Sequence, residues 1–375
     1  MFPSDADELV VLSHLRWDWV FQRPQHLISR MGRGRRTWFV EEPLAVADAT
    51  APRLVTLDAG AVTRVWLEVP GDADIHLDFT DPRAASYFAE LSTLLGVPAG
   101  ARDVWLYTPM AVDLALALMP RLFVYDVMDD LASFAQAPPE LIERQRLALR
   151  EASVVFTGGR SIHRGVQNGN ERTFLFPSGV DVEHYAPARD LRSAHDRPVA
   201  GYVGVIDERL DLHLVRDLAA ALPEWELQLV GPVCKIDPAT LPQADNIVYA
   251  GKQPYEKLPD VMAGFDVALM PFAMNDATRS ISPTKTLEYL AAGLPVVSTR
   301  VPDVVSDFGA FVRLEDDGAG FAEACREVLT HDTADRDDRL APVLRRYRWD
   351  WIADAMATRM AEALSPALTP ARETA

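Results

Sequence analysis

The sequence predicts an α/β chain of two doubly wound parallel sheets, on three observations. Short apolar runs of strand length alternate with helical patterns, the mark of βα units. The series halts at 187–198, a polar, charged stretch without periodicity, and then begins again. At 375 residues the chain has the length of two domains.

The first strand is Glu8–Ser13, Glu-Leu-Val-Val-Leu-Ser, a compact apolar run. The loop after it holds His14, Arg16, Trp17, Asp18, Trp19 and Arg23 before His26, with Pro24 suited to a helix start and Leu27, Ile28 and Met31 following. Ligands of doubly wound sheets sit outside the carboxyl ends of strands, so this loop is expected to face a substrate. The other reading has both tryptophans packed on the sheet edge and the arginines in solvent. No Gly-x-Gly-x-x-Gly follows the strand, so a dinucleotide site is not expected there. Arg30, Arg33, Arg35 and Arg36 close the helical pattern, where cations favour a helix carboxyl end or attract anionic lipid head groups.

Strand-like runs follow at 37–40, 62–69, 104–107, 122–126, 154–157 and 173–176, with helical patterns at 84–95 and 140–151. The run at 122–126 ends on Asp126, with Asp129 and Asp130 just beyond it. Carboxylates at that edge suit a general base for an acceptor hydroxyl; equally, aspartate caps turns and helices.

The second series opens at 199–204, ending on Gly204, with Arg209 in the next loop beside Asp207 and Asp211. Runs at 225–230, 246–250 and 267–271 continue it, the second of these closing on Gly251 and Lys252. Ser282 is a good N-cap and Pro283 a good first helical residue, followed by Thr284, Lys285, Thr286, Leu287 and Glu288. Leu287, Leu290, Ala291 and Leu294 share one helical face, Gly293 suits a left-handed stop, and 296–299 reads as a strand. Lys285 and Glu288, three apart, share another face. A helix start with unpaired N–H groups, a lysine and a carboxylate able to accept two hydroxyls describes a site for a nucleotide diphosphate. The same two residues also read as a solvated surface pair. A strand at 311–314, a helix at 320–329 and an Ala- and Met-rich helix reaching about 364 complete the chain.

Net charge is −18, so a nucleic-acid partner is not expected. Cys234 and Cys325 are too few for a disulfide framework or a metal site. The acidic start does not read as a signal peptide, and no apolar run approaches the roughly 20 residues of a membrane span. A cytoplasmic protein is expected, with weak peripheral contact at the inner face of the membrane.

The 280–299 stretch resembles the signature of nucleotide-sugar glycosyltransferases with two facing Rossmann-like domains, the GT-B fold, of the family-4 type. That signature has a glutamate, seven residues and a second glutamate before a small-residue helix ending Ala-x-Gly-x-Pro-Val-Val. Glu288 matches the second glutamate, which holds the donor ribose in the family, while the first would fall at Ser280. Pro283-x-Lys285 stands there instead, similar to the TuaH-type bacterial envelope and exopolysaccharide transferases, whose opening Trp17-Asp18-x-x-x-Gln22-Arg23-Pro24-Gln25-His26 also resembles. Pro177-Ser178-Gly179-Val180-Asp181 resembles the Pro-Asn-Gly-Val-Asp that closes the family's first domain.

The resemblance implies an acceptor-side domain at 1–188, a donor domain at 189–346, a helix crossing back at 347–366 and a frayed tail at 367–375. It implies donor contacts from Gly204, Arg209, Gly251, Lys252, Ser282, Pro283, Thr284, Lys285, Thr286 and Glu288. Acceptor contacts fall to His14, Trp17, Asp18, Arg23 and His26, and catalysis to Asp129 and Asp126. The implied activity moves a sugar from a UDP- or GDP-type donor to a glycan or lipid-linked acceptor in envelope or exopolysaccharide synthesis, with no metal and no other cofactor. A nucleotide-sugar epimerase on the same fold and a non-catalytic binding protein are the competing expectations. Trp349 and Trp351 are expected to anchor the last helix by packing.

Overall fold

The computed structural model describes residues 8–96, 100–129, 139–192, 196–275, 278, 284–330 and 334–365. In the first sheet, β1 (Glu8–Ser13) lies between β2 (Arg36–Glu41) and β6 (Arg102–Leu106), both parallel to it. Beyond β2 come β5 (Thr63–Pro70) and β3 (Leu44–Val46); beyond β6 come β7 (Leu122–Val127), β8 (Val154–Thr157) and β9 (Thr173–Leu175). Every residue of β1, β6, β7 and β8 is buried, which is why these strands read as mainly apolar runs, with Arg102, Asp103 and Asp126 buried among them: helices cover both faces.

One hairpin departs from the expected all-parallel sheet. β4 (Arg53–Asp58) pairs antiparallel with β5 through a turn in which Gly60 takes φ +74°. β3, Leu-Ala-Val, is only three residues long, and β4 sets Leu54, Val55 and Leu57 among polar residues, so neither stood out as a run of strand length.

The second sheet is parallel throughout, in the order β12 (Ile247–Gly251), β11 (Glu226–Val230), β10 (Val199–Val203), β13 (Val267–Met270), β14 (Val296–Ser298) and β15 (Arg313–Leu314). Val180, Tyr185 and Ala188, placed by the sequence before the domain break, pack into this second core.

In each sheet the winding reverses once, between β1 and β6 and between β10 and β13. The loops leaving the strands at such a reversal diverge and open a crevice. The loops that begin at His14 and at Gly204 therefore start where a crevice is available.

The last helix, Trp349–Leu364, leaves the second sheet and completes the core of the first. Trp349, Ile352, Met356 and Met360 are buried there with Leu9, Val11, Leu27 and Ile28. Trp351 is not a packing anchor as expected: it points outward, 56% exposed. The arginine cluster is largely drawn into pairs, Arg30 with Asp350, Arg35 with Asp103, and Arg36 over the Trp38 ring. On the far side of the seam the Ser161 hydroxyl donates to Asp303 at 2.6 Å and Arg160 pairs with Asp307, tying the two domains together.

Candidate active site

Gly204 ends β10 in a turn that only glycine can make, because a Cβ there would collide with the Tyr202 hydroxyl. Its carbonyl oxygen is crowded in turn by Gly231 (φ +151°), where any side chain would strike it. The loop beyond carries Asp207, 3% exposed, and Arg209. The Arg209 Nε and Nη2 donate to both Asp207 oxygens at 2.7–3.1 Å. Burial alone would lower the pKa of Arg209; Asp207 and, more distantly, Asp129 outweigh it and raise it. Because Asp129 follows β7, its influence marks the side of Arg209 that faces the first domain.

The loop after β13 is tied to the same place, since Asn275 Nδ2 donates to the Glu208 carbonyl and the Ala273 amide to that of Arg209. It leads to the helix Thr284–Ala291, on which Lys285 Nζ donates to Glu288 Oε2 at 2.7 Å. Their side chains are 24% and 8% exposed. Burial, then Arg30, His184 and Lys285, holds His26 of the first domain neutral, so Lys285 stands within electrostatic reach of that domain. Glu288 acts on the Tyr185 and Tyr255 hydroxyls, and burial followed by Glu288 keeps the Tyr185 hydroxyl protonated.

Arg209 and Lys285 thus leave strands on either side of the second sheet's reversal and confront the first domain together. Each already holds a carboxylate, yet neither is exhausted. Arg209 retains the N–H groups of Nη1 and Lys285 two of its three donors.

Several expected site residues lie elsewhere. Arg23 and Asp126 bind each other: Arg23 donates from Nε at 2.9 Å and Nη2 at 2.8 Å, and its Nη1 donates to the Phe176 carbonyl. At 3% and 0% side-chain exposure the pair braces the helix Arg23–Met31 against β7, and neither meets a substrate. Asp126 is therefore corrected from catalytic carboxylate to structural partner, and Arg23 from acceptor contact to its counterpart. Trp17 packs edge-on against Phe39 at 5.0 Å, and His26 stacks on Trp349 at 4.7 Å with 13° between planes, so both serve packing. Thr286 turns inward, fully buried against Met270. Lys252 lies over the ring of Trp19 at 4.5 Å, bridging the domains rather than reaching a ligand. Asp18 pairs with Arg64 at 2.6 Å on the open rim, and His14 and Asp129 stay at the cleft edge. Gly251 takes φ +67° at the end of β12, its carbonyl accepting from Gly231 N. Thr284 begins its helix; Ser280, Ser282 and Pro283 lie outside the described residues.

Sequence reading passed over Glu41 and Glu42, at the carboxyl end of β2. Glu41 is fully buried and gathers Arg16, Arg64 and the Trp17 amide. The strand-end rule that selected Asp126 would have found them. Among the described residues no group of three His, Cys, Asp or Glu is placed to hold a metal, and no helix is long and apolar enough to cross a membrane.

Residues 197–331, the second sheet and its helices, match the family model described as Glycosyl transferases group 1. Two proteins of Bacillus subtilis (strain 168) are similar. The "Putative teichuronic acid biosynthesis glycosyltransferase TuaH" is 26% identical over 181 residues, 45% of this chain and 46% of that protein. The "Putative glycosyltransferase EpsF" is 29% identical over 198 residues, 47% of this chain and 50% of that protein. The chain thus spans about half the length of the curated relatives it matches. Among solved structures, Anabaena Alr3699/HepE in complex with UDP and glucose aligns with TM-score 0.65 and 15% identity, over 94% of this chain and 99% of that one. Sucrose-phosphate synthase from Thermosynechococcus elongatus aligns at TM-score 0.65 and 16% identity, over 96% and 100%. The fold shared with these structures is the two-domain GT-B architecture, and the resemblance read in the 280–299 stretch falls within the matched family segment.

Proposed function

We propose that this chain is a glycosyltransferase that moves a sugar from a nucleoside-diphosphate donor to a hydroxyl of an envelope glycan or lipid-linked acceptor. One observation carries the reading: Arg209 and Lys285 flank the reversal of the second sheet, with Glu288 beside them and the first domain opposite. A diphosphate leaving the sugar gains negative charge, and two cations fixed beforehand by Asp207 and Glu288 stabilise that charge without reorganising. The remaining N–H groups of Arg209 suit one phosphate, the Lys285 ammonium the other, and the Glu288 carboxylate a ribose hydroxyl. The group 1 family match over this domain and the UDP-bound neighbour support a nucleotide donor. Asp129, across the gap from Arg209, is the carboxylate proposed to take the proton of the acceptor hydroxyl. Arg33 and Arg36, the exposed members of the basic cluster, are the proposed contact with an anionic membrane face.

The test is calorimetric binding of UDP and GDP together with turnover of their glucose and mannose derivatives. Arg209→Ala and Lys285→Ala should each weaken nucleotide binding about 10- to 100-fold, the ~1.5–3 kcal/mol of a hydrogen bond to a charged group. Glu288→Ala should act on the diphosphate of a nucleoside but not on inorganic pyrophosphate. Undiminished binding in both cation variants would remove this site, and return of an isomerised donor sugar would make the chain an epimerase.

A further inference from the structure

The loops after β1, β2 and β5 emerge side by side, and they enclose a cluster that no motif selects. Glu42, the residue after β2, is 5% exposed. His76, on the loop after β5, brings Nε2 to 3.8 Å from Glu42 Oε2 and is itself 83% exposed. His14, on the loop after β1, has an Nδ1 shut off from water with no partner. Lys235 and His76 both act on His14. Since Lys235 belongs to the second domain, the cluster faces the cleft.

A buried polar atom left without a partner is costly, and His14 Nδ1, in one cluster with a buried carboxyl whose His76 partner stands 3.8 Å away, invites a ligand that satisfies it. Their protonation narrows the chemistry. Burial, then Asp78, pushes the Glu42 carboxyl well above the usual carboxylate range, with Arg16 opposing. Burial, then Lys235 and His76, holds the pKa of His14 at about 4. A protonated carboxyl and a neutral imidazole each donate one hydrogen bond and accept another. Sugar hydroxyls do the same. A phosphate would need cations: Arg16 and Arg64 are already held by Glu41, with Asp18 also on Arg64, Asp78 adds negative charge, and Lys235, which acts on His14, has an interaction of its own.

We infer that Glu42 and His14 form a subsite for the hydroxyls of an uncharged sugar acceptor and reject one that carries a phosphate at that end. The inference rests on the transferase reading above, and it assigns the acceptor's class.

The experiment measures binding to the full chain saturated with UDP, using a panel of methyl hexopyranosides and glucose 6-phosphate as probes, by ligand-observed NMR titration. At least one neutral glycoside should bind, and at least tenfold more tightly than glucose 6-phosphate. Glu42→Ala should weaken that glycoside at least tenfold and leave UDP affinity within twofold. Glu42→Gln, which keeps one donor and one acceptor, should stay within about threefold of the parent, separating hydrogen bonding from loss of fold. His14→Phe should weaken the glycoside, and Glu42→Lys should raise affinity for glucose 6-phosphate. Equal or tighter binding of glucose 6-phosphate by the parent, failure of every neutral glycoside to bind at 50-fold excess over UDP, or an unchanged glycoside affinity in Glu42→Ala overturns the inference. Failure of the parent to bind UDP instead sinks the donor reading, so the two can be told apart.

Discussion

Asp126→Asn separates a structural carboxylate from a catalytic one. The Asp126 side chain is fully buried and takes three hydrogen bonds from Arg23, which is itself 3% exposed. Substitution by Asn leaves the shape but removes the charge, so Arg23 stays in the interior with the Phe176 carbonyl and a neutral amide. Breaking a buried pair from one side costs about 3–5 kcal/mol, because the surviving charge has lost its solvent and its partner together. In a domain of this size each kcal/mol lowers the melting midpoint by roughly 2–4 °C. A fall of about 6–20 °C is therefore expected by near-ultraviolet circular dichroism. Turnover per folded molecule at 15 °C should stay within a fewfold of the parent. Arg23→Met combined with Asp126→Leu, which removes both charges and keeps volume, should recover much of the loss, since the two sites are coupled. An unchanged melting midpoint with turnover down a thousandfold would refute this reasoning and return Asp126 to the chemistry.

Acid should destabilise the fold through its histidines. His14 is held at about 4 by burial, then by Lys235 and His76, against 6.5 when unfolded, so the unfolded chain binds the extra proton. Stability present above pH 6.5 is lost as pH falls towards 4, by an amount of order 3 kcal/mol. Urea midpoints of the parent and of His14→Phe should diverge across that window and run parallel above it. Trp19→Ala and Lys252→Ala should show a coupling of about 0.5–1 kcal/mol in a double-mutant cycle of stability, the range of an exposed cation–π contact; zero coupling would mean that the ring and the ammonium do not meet in solution. Gly231→Ala places a Cβ against the Gly204 carbonyl at φ +151° and should abolish UDP binding, or folding of the second domain, while first-domain near-ultraviolet signals persist.

The alternation of apolar runs and helical patterns was enough to predict two mainly parallel sheets, because strands buried on both faces are mostly apolar. It was also enough to place Lys285 and Glu288 together, because i,i+3 neighbours on a helix meet whatever the rest of the chain does; Nζ and Oε2 stand 2.7 Å apart. Arg209 beside Asp207 is equally local, two residues apart on one turn. What the sequence could not decide is which polar side chains face the gap and which face each other. Arg23 and Asp126 are 103 residues apart, and only the pairing of the first helix with β7 makes them partners. Glu42 gains its character from Asp78, Arg16 and His76, three residues brought beside it by neighbouring strand ends. A strand's composition reports how deeply it is buried, which is a property of the segment. The role of a charged group depends on what stands within a few ångströms, and over long separations in sequence that is settled by tertiary packing alone.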